Sequence, residues 1–132
     1  MRIGEIARAC EVSVDTIRHY EREGVIPSSI REANGYRRFP DNTIDRVRLV
    51  RRALSIGFTL KELSKIFRDR AQGKVPCHEV QALAKRKLAD IETRMREMAI
   101  VRETLIATIG KWDARLEGTA PGELAHLLDS LV

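Results

Sequence analysis

The sequence predicts a mainly α-helical protein in which two short helices and a basic hairpin precede one long helix. Three observations support this fold class. Apolar residues recur at helical spacing over Ile3–Cys10 and again from Val14 onward. The pair Asn34-Gly35 marks a tight turn between two basic arms. From Ala84 to Trp112, apolar residues recur in alternating steps of four and three, which is the heptad pattern of a coiled coil.

Composition limits the possible classes of protein. A chain of 132 residues, 43% hydrophobic and 33% charged, forms one domain or one small domain with an extension. It has no run of roughly 20 apolar residues that would cross a membrane, and Met1-Arg2 leads into an amphipathic helix instead of a signal peptide. We therefore expect a cytoplasmic protein. Its two cysteines form neither a disulfide framework nor a Cys-x-x-Cys zinc pair.

Positive charge is concentrated in the first half of the chain. Residues 1–70 hold 15 Lys and Arg against 10 Asp and Glu, whereas residues 71–132 hold nine of each. The whole net charge of +5 therefore lies with the short helices and the hairpin. Binding to nucleic-acid phosphates requires such an excess, although a basic half alone is also compatible with a solvated surface.

The first two helices form a helix-turn-helix pattern, with a tight turn at residues 11–13. In the second helix, predicted over Val14–Gly24, Ser13 caps the first turn and Gly24 ends the last one. Val14 and Ile17 face a small core, while Arg18 and Arg22 lie on one face within reach of phosphates. Read alone, the pattern favours two helices that pack in a core without binding nucleic acid.

The next segment changes that interpretation. Ile30–Phe39 is predicted to be a small hairpin, because both residues of Asn34-Gly35 tolerate positive φ. The hairpin carries Arg31, Tyr36, Arg37 and Arg38. A rigid turn that displays three arginines and a tyrosine favours contact with a polyanion over a solvated basic loop.

Two more amphipathic helices follow. Asp41 or Asn42 is predicted to cap the third helix, which ends at Gly57. Thr59 and Glu62 form a capping box at the start of the fourth helix, which ends at Gly73. Their apolar faces consist of Ile44, Val47, Val50 and Leu54 in the third helix and of Leu60, Leu63, Ile66 and Phe67 in the fourth.

The long helix is predicted over about Cys77–Lys111, a length of roughly 50 Å. Its heptad stripe is interrupted only by Arg102. So long a stripe cannot be buried against the small domain formed by residues 1–73, so it needs a partner. The simplest partner is a second copy of the chain. A short final helix over Glu123–Leu131 carries four leucines that we expect to pack back on the dimer. The predicted segments are a basic domain with the short helices and the hairpin (1–73), a dimerisation helix (74–112) and a loop with a short helix (113–132).

Three motifs carry a family resemblance: Thr16–Glu21, Asn34–Arg37 and Ile56–Leu63. In this order and spacing the chain resembles the MerR family of bacterial transcription regulators over residues 1 to about 112, and its layout is closest to the metal-sensing branch. The resemblance implies a winged helix-turn-helix domain followed by an antiparallel coiled-coil dimerisation helix. It also implies a homodimer that binds the overlong spacer of a σ70-type promoter and activates or represses RNA polymerase by distorting the double-stranded DNA.

The resemblance also implies the DNA-binding residues. Arg18 and Tyr20 match recognition-helix positions, and Arg31, Tyr36 and Arg37 match the wing, whose turn Asn34 and Gly35 shape. Ser13, Asp15 and Thr16 lie where the recognition helix meets base edges. The chain departs from the family pattern at Asp15, where some relatives carry a basic residue, and at His19, where an aromatic residue is commoner. Both departures affect the operator sequence that we expect.

The effector is the least determined feature. Cys77 matches the first metal ligand of the metal-sensing relatives and His78 is a possible second ligand, but no cysteine follows in the loop where those relatives have two more. Soft metal ions select thiolates, and one per site is too few for tight capture. Three interpretations of Cys77 remain open: an inert residue at the helix start, a reactive thiol that senses oxidants, electrophiles or organomercury, or a metal ligand with His78, Asp113 or Glu117.

Three other side chains have simpler interpretations. Cys10 fits the core stripe of the first helix, and His126 fits a surface position. Trp112 either packs over an organic effector or closes the core, and we favour the core. No nucleotide loop, nucleophile elbow or paired metal motif is present, so we do not expect an enzyme. The alternatives are a metal-independent regulator that responds to a small organic molecule and a coiled-coil interaction protein that binds no DNA.

Overall fold

The computed structural model describes all 132 residues and confirms the mainly α-helical fold class. Its elements are α1 (Ile3–Cys10), α2 (Val14–Arg22), β1 (Ile30–Arg31), β2 (Arg37–Arg38), α3 (Thr43–Ser55), α4 (Leu60–Ala71), α5 (Cys77–Glu117) and a 3-10 helix (Asp129–Leu131). The chain divides into two compact units, Met1–Lys85 and Arg86–Val132. None of the helices combines the length and apolar character that crossing a bilayer requires.

The core of the first unit lies where α1 and α2 pack with α3 and α4. Its fully buried side chains are Ile6, Ile17, Val25, Phe39, Thr43, Val47 and Val50. Fully burying each large apolar side chain stabilises the fold by about 1.5–3 kcal/mol. The hydroxyl of Thr43 donates a hydrogen bond to the carbonyl oxygen of Pro40 at 2.7 Å, which satisfies the one buried polar side chain. This core fixes the position of α2 relative to the segments that follow it.

Two of the predicted helix caps are confirmed, and the third is confirmed in position but lacks a side-chain hydrogen bond. The hydroxyl of Ser13 accepts a hydrogen bond from the Thr16 amide at 3.1 Å. Thr59 and Glu62 form the reciprocal capping box of α4. Asn42 holds the N-cap position of α3, but its side chain makes no capping hydrogen bond. The chain enters α3 through a turn in which the Thr43 amide donates to the Pro40 carbonyl at 3.1 Å, and this turn replaces the side-chain cap.

The hairpin forms as predicted, but its turn differs. Ile30 pairs with Arg38 and Arg31 pairs with Arg37 in antiparallel register, so the loop spans residues 32–36. A two-residue type I′ turn requires positive φ at both Asn34 and Gly35, whereas only Gly35 has it, at 85°. The Gly35 amide donates to the Glu32 carbonyl at 3.0 Å, and Asn34 Oδ1 accepts from the Tyr36 amide at 3.1 Å. The loop is therefore longer than the two-residue turn that the sequence predicted, and the Asn34 side chain stabilises its last part by accepting the Tyr36 hydrogen bond.

Helix α5 contains 41 residues and ends at Glu117, six residues past the predicted end. Ala114, Arg115 and Leu116 are strong helix formers, and no helix breaker intervenes before Gly118. No residue of α5 is buried within the single chain. The heptad residues from Leu88 to Ile109 remain 45–66% exposed where they are large and apolar. The Arg102 guanidinium pairs with the carboxylate of Glu103 at 2.8 Å.

The predicted helix over Glu123–Leu131 is wrong, because only the 3-10 helix at Asp129–Leu131 forms. Gly122 and His126 adopt positive φ values of 86° and 52°, which interrupt a right-handed helical path. Along the chain, the boundary between the two compact units falls between residues 85 and 86. The division of function at residues 73 and 112 stays a prediction.

Candidate nucleic-acid interface

Helix α2 has one buried side and one exposed side. Ile17 is fully buried and Tyr20 is 6% exposed, whereas Asp15, Arg18 and His19 are exposed. Thr16 is half-buried, and its hydroxyl lies 2.9 Å from that of Ser13. The cap and the core therefore hold the helix while its outer side remains free to contact a partner.

Tyr20 belongs to the core more than to the exposed side of α2. Burial raises the pKa of its phenol, while the nearby Arg51 guanidinium acts in the opposite direction. The predicted contact of Tyr20 with DNA stays a prediction, and only a small edge of its side chain is accessible for it.

Asp15 and Arg18 form an ion pair across one turn of α2, with 3.6 Å between Oδ1 and Nη1. Both side chains are largely exposed, at 92% for Asp15 and 59% for Arg18. A pair so open to water contributes at most about 1 kcal/mol to stability. Its importance lies in placing an acceptor and a donor side by side on the exposed face of the helix.

The wing displays two opposed arginines. Arg31 and Arg37 are directly opposite each other on β1 and β2, an arrangement in which like charges repel. Tyr36 is 57% exposed, and the Arg2 guanidinium carbon lies 4.4 Å from its ring centroid. The Phe39 amide, directly after β2, donates to the Met1 carbonyl at 2.7 Å and so links the start of the chain to the wing. An anion bound between the two arginines would relieve their repulsion.

The carboxylate of Glu21 joins α2, the predicted recognition helix, to the wing. Glu21 Oε2 accepts hydrogen bonds from the amide of Ser29 at 2.6 Å and from its hydroxyl at 2.7 Å. Arg37 Nη1 donates to the Ser29 hydroxyl at 3.2 Å and lies 3.7 Å from Glu21 Oε1. We refer to Glu21, Ser29 and Arg37 as the helix–wing clamp.

A groove of about 820 Å³ runs between α1, α2 and the wing. Its charged lining consists of six arginines and two glutamates: Arg2, Arg8, Arg18, Arg22, Arg31, Arg37, Glu5 and Glu21. Ile3, Gly4, Gly35 and Tyr36 complete it. Guanidinium groups bind phosphate through several N–H donors at once, so this lining suits a phosphate backbone.

The groove unites only part of the predicted DNA-binding set. Arg18, Arg31, Gly35, Tyr36 and Arg37 line it, whereas Ser13, Asp15, Thr16, His19, Tyr20 and Asn34 do not. The sequence analysis missed Arg2, Arg8 and Glu21 as groove residues. The two arginines had a detectable signal, because Arg2 at the N-cap of α1 and Arg8 within it are exposed basic residues of the same basic half as the hairpin. Glu21 had none, since its partner Ser29 is eight residues away.

The predicted metal ligands lie at the start of α5. Cys77 is exposed, and adjacent helical residues such as Cys77 and His78 point in different directions. No group of three or more His, Cys, Asp or Glu side chains in the chain is close enough to hold a metal ion. The donor set of one chain therefore does not fit a metal site, and ligation by Cys77 and His78 stays a prediction.

Cys77 also lines a second cavity, of about 520 Å³, within the first unit. Its walls are largely apolar and include Phe58, Phe67 and Val80, with Arg70 and Lys74 as the charged members. Cys10, by contrast, is 4% exposed, in agreement with its predicted place in the core. Burial raises the pKa of the Cys10 thiol, against the opposing effect of Arg48 and Arg51.

The end of α5 binds the tail that follows it. Trp112 Nε1 donates to the hydroxyl of Ser130 at 3.2 Å, and Arg115 Nε donates to the carbonyl of Ala125. His126 Nδ1 lies 3.2 Å from Asp129 Oδ2. Trp112 is therefore tied to the tail by its polar edge.

Comparison with known proteins identifies the family. The family model for MerR helix-turn-helix regulatory proteins matches residues 1–70, and the model described as "MerR, DNA binding" matches residues 44–108. The chain is 33% identical over 105 residues to the mercuric resistance operon regulatory protein of Bacillus cereus, covering 80% of each protein. It is 29% identical over 105 residues to the regulator ZntR of Escherichia coli K12, covering 79% of this chain and 74% of ZntR.

A solved structure extends the similarity to the whole chain. The transcription regulator PbrR691 from Ralstonia metallidurans CH34, solved in complex with lead(II), is 29% identical with a TM-score of 0.82, covering 100% of this chain and 99% of PbrR691. The helix-turn-helix, the wing and the long helix are thus shared features. The chain belongs to the MerR family of transcription regulators, which bind promoter DNA as homodimers.

Proposed function

We propose that the protein controls transcription by binding an overlong promoter spacer as a homodimer and distorting it, so that RNA polymerase engages both promoter elements. The basic groove carries this proposal. Six arginines against two glutamates line it between the recognition helix and the wing. Distorting DNA costs several kcal/mol, and phosphate contacts on both sides of the distorted base pairs in the spacer offset that cost.

The proposed DNA-binding residues divide into three groups. Arg18, Arg31, Tyr36 and Arg37 line the groove and contact phosphates, which fixes register without reading sequence. Asp15, Thr16 and His19 lie on or beside the exposed face of α2 and read base edges. Ser13 and Asn34 act indirectly, because one caps α2 and the other closes the wing turn.

Dimerisation is proposed to bury the heptad stripe of α5. Its large apolar residues are exposed in the single chain, and an exposed apolar surface of this length marks an interface. Pairing with the same stripe of a second copy covers it along most of the helix. Each copy then contributes one basic groove to a symmetric promoter site.

The effector is proposed to be a metal ion or a thiol-reactive species that acts at Cys77. Cys77 is exposed and lines the 520 Å³ cavity, and two of the relatives are named for mercury resistance or solved with lead(II). One thiol per chain is fewer than a soft metal prefers, so a reactive thiol is the stronger form of this proposal. We place the protein in the cytoplasm with the promoter it regulates, and we propose no catalytic role.

DNA binding is tested with the full-length dimer and a fluorescent duplex from the region upstream of its own coding sequence. Anisotropy measured over a range of salt concentrations gives the slope of log K against log salt, about −0.9 per phosphate neutralised. Because the dimer carries two copies of each residue, Arg18→Gln and Arg37→Gln are each expected to reduce the magnitude of that slope by about two. Arg52→Gln is the matched control, since Arg52 is exposed on α3 and does not line the groove. Absence of binding at low salt would contradict the proposal.

The effector is tested by following promoter opening by polymerase while Zn(II), Cu(I), Hg(II) or an alkylating agent is added. A response that Cys77→Ser abolishes supports action at Cys77. A response to metal that survives Cys77→Ser places the effector elsewhere. If DNA binds but none of these agents changes opening, the organic-effector alternative is favoured.

A further inference from the structure

The helix–wing clamp contains a feature that phosphate binding alone does not explain. Glu21 lines the groove, and its negative charge repels the phosphates that the surrounding arginines attract. Its side chain is only 16% exposed and is held by three groups, so it is not a solvated surface charge. By its charge, a carboxylate in this position weakens DNA binding, so phosphate binding does not explain why Glu21 lies there.

The contacts of Glu21 indicate that role. Two short hydrogen bonds fix Ser29, the last residue before β1, against α2. The second carboxylate oxygen and the Ser29 hydroxyl together hold Arg37 of β2 through Nη1 alone. Arg37 is still 55% exposed, and its remaining guanidinium donors are available for a phosphate. One carboxylate thus sets the position of both strands of the wing relative to the recognition helix.

We propose that Glu21 is a positioning residue that fixes the angle between the recognition helix and the wing, and through it the degree of promoter distortion. This proposal rests on the proposed function. The recognition helix and the wing bind phosphates at separate points of the duplex, so the angle between them determines the path of the DNA. Glu21 lowers affinity through its charge and increases distortion through its geometry.

The two effects have opposite signs, which makes the proposal testable. Glu21→Gln removes the charge but keeps an oxygen that accepts from Ser29, while its amide donors no longer attract Arg37. We expect binding to tighten by about two- to fivefold, the size of a weak charge interaction across a water-filled groove. We also expect the fluorescence of 2-aminopurine at the spacer centre, which reports unstacking, to fall.

Three further variants separate charge from geometry. Glu23→Gln is the matched control, because Glu23 is exposed at the end of the same helix and does not line the groove. Glu21→Asp keeps the charge but is one methylene shorter, so it should lower the fluorescence response without tightening binding. Ser29→Ala removes only the hydroxyl, so it should also lower the fluorescence response without tightening binding. It tests the clamp independently if a Glu21 variant folds poorly. Melting temperatures of all variants are measured alongside.

The outcomes separate this proposal from the proposed function. Tighter binding with reduced distortion in Glu21→Gln, absent in Glu23→Gln, supports the clamp. Unchanged distortion in Glu21→Gln, or a parallel loss of affinity, distortion and melting temperature, overturns it. Failure of the wild-type protein to bind the duplex contradicts the proposed function and the clamp with it, whereas failure confined to the variants contradicts the clamp alone.

Discussion

The guanidinium carbon of Arg2 lies 4.4 Å from the centroid of the Tyr36 ring, which ties the start of α1 to the tip of the wing. Both residues line the basic groove. Arg2 therefore contributes a positive charge and also supports a wing residue, as a cation over the face of an aromatic ring. The Tyr36 side chain is otherwise largely open to solvent, at 57% exposed.

Arg2→Gln should weaken DNA binding more than loss of an exposed arginine outside the groove. We expect a decrease of about tenfold at low salt, since both a phosphate contact and wing support are lost. Anisotropy with the upstream duplex measures it, and Arg52→Gln serves as the control. Equal effects of the two substitutions would show that Arg2 contributes neither a phosphate contact nor support for the wing.

Removing the cap of α4 should destabilise the first unit. Thr59→Ala deletes the hydroxyl that accepts from the Glu62 amide at 3.1 Å, and the expected loss is about 1 kcal/mol of unfolding free energy. Thr59→Ser keeps the hydroxyl and should restore most of that stability. Urea denaturation followed by circular dichroism measures both variants. A Thr59→Ala variant as stable as the wild type would contradict the role of the cap.

Asp69 should make part of the stability dependent on pH. Its hydrogen bond with Lys65, at 3.0 Å, holds the pKa of the Asp69 carboxyl below its usual 3.8. Because the folded pKa lies below the unfolded one, this stabilisation is complete above the unfolded pKa and is lost as pH falls through the folded pKa. The melting-temperature difference between the wild type and Asp69→Asn should therefore be present at neutral pH and vanish in acid. A melting-temperature difference that stays the same from neutral to acid pH would contradict this role of Asp69.

The two cysteines should differ sharply in reactivity. Cys77 is exposed, whereas Cys10 is buried and burial raises its thiol pKa, which disfavours the reactive thiolate. Iodoacetamide should add once to the native protein and twice to the urea-unfolded protein, as counted by mass spectrometry. Native Cys77→Ser should take up none. Two rapid additions to the native protein would contradict the burial of Cys10.

Arg102 should weaken the coiled coil that it interrupts. Arg102→Leu completes the heptad stripe, so we expect the dimer to gain roughly 1–2 kcal/mol for each chain through apolar burial. Sedimentation equilibrium over a range of concentrations measures the dissociation constant. Arg96→Leu is the matched control, because Arg96 lies outside the stripe. A tighter dimer with both substitutions would indicate a general effect of hydrophobicity.

Features with local causes could be read from the sequence. The Ser13 and Thr59 caps depend on residues three apart, and the structure contains both. The turn type at Asn34-Gly35 could not be read from the sequence. The pairing register of the two strands sets the loop length, and that register depends on contacts between the wing and the rest of the fold. The end of α5 could not be read from the stripe either, since the stripe ends at Trp112 while the helix continues to Glu117 through residues of high helix propensity.

By itself, the sequence determined helices α1 to α5, the basic hairpin, the concentration of positive charge in residues 1–70 and the unpaired heptad stripe. These are periodic or compositional properties, and neighbouring residues encode them. Only the tertiary structure decided which arginines share one groove and that Glu21 meets Ser29 and Arg37 inside it. Those residues come together because the chain reverses after α2, with Gly24 at a φ of 76°, and packs Val25 in the core. A contact formed by that reversal leaves no periodic signal in the sequence.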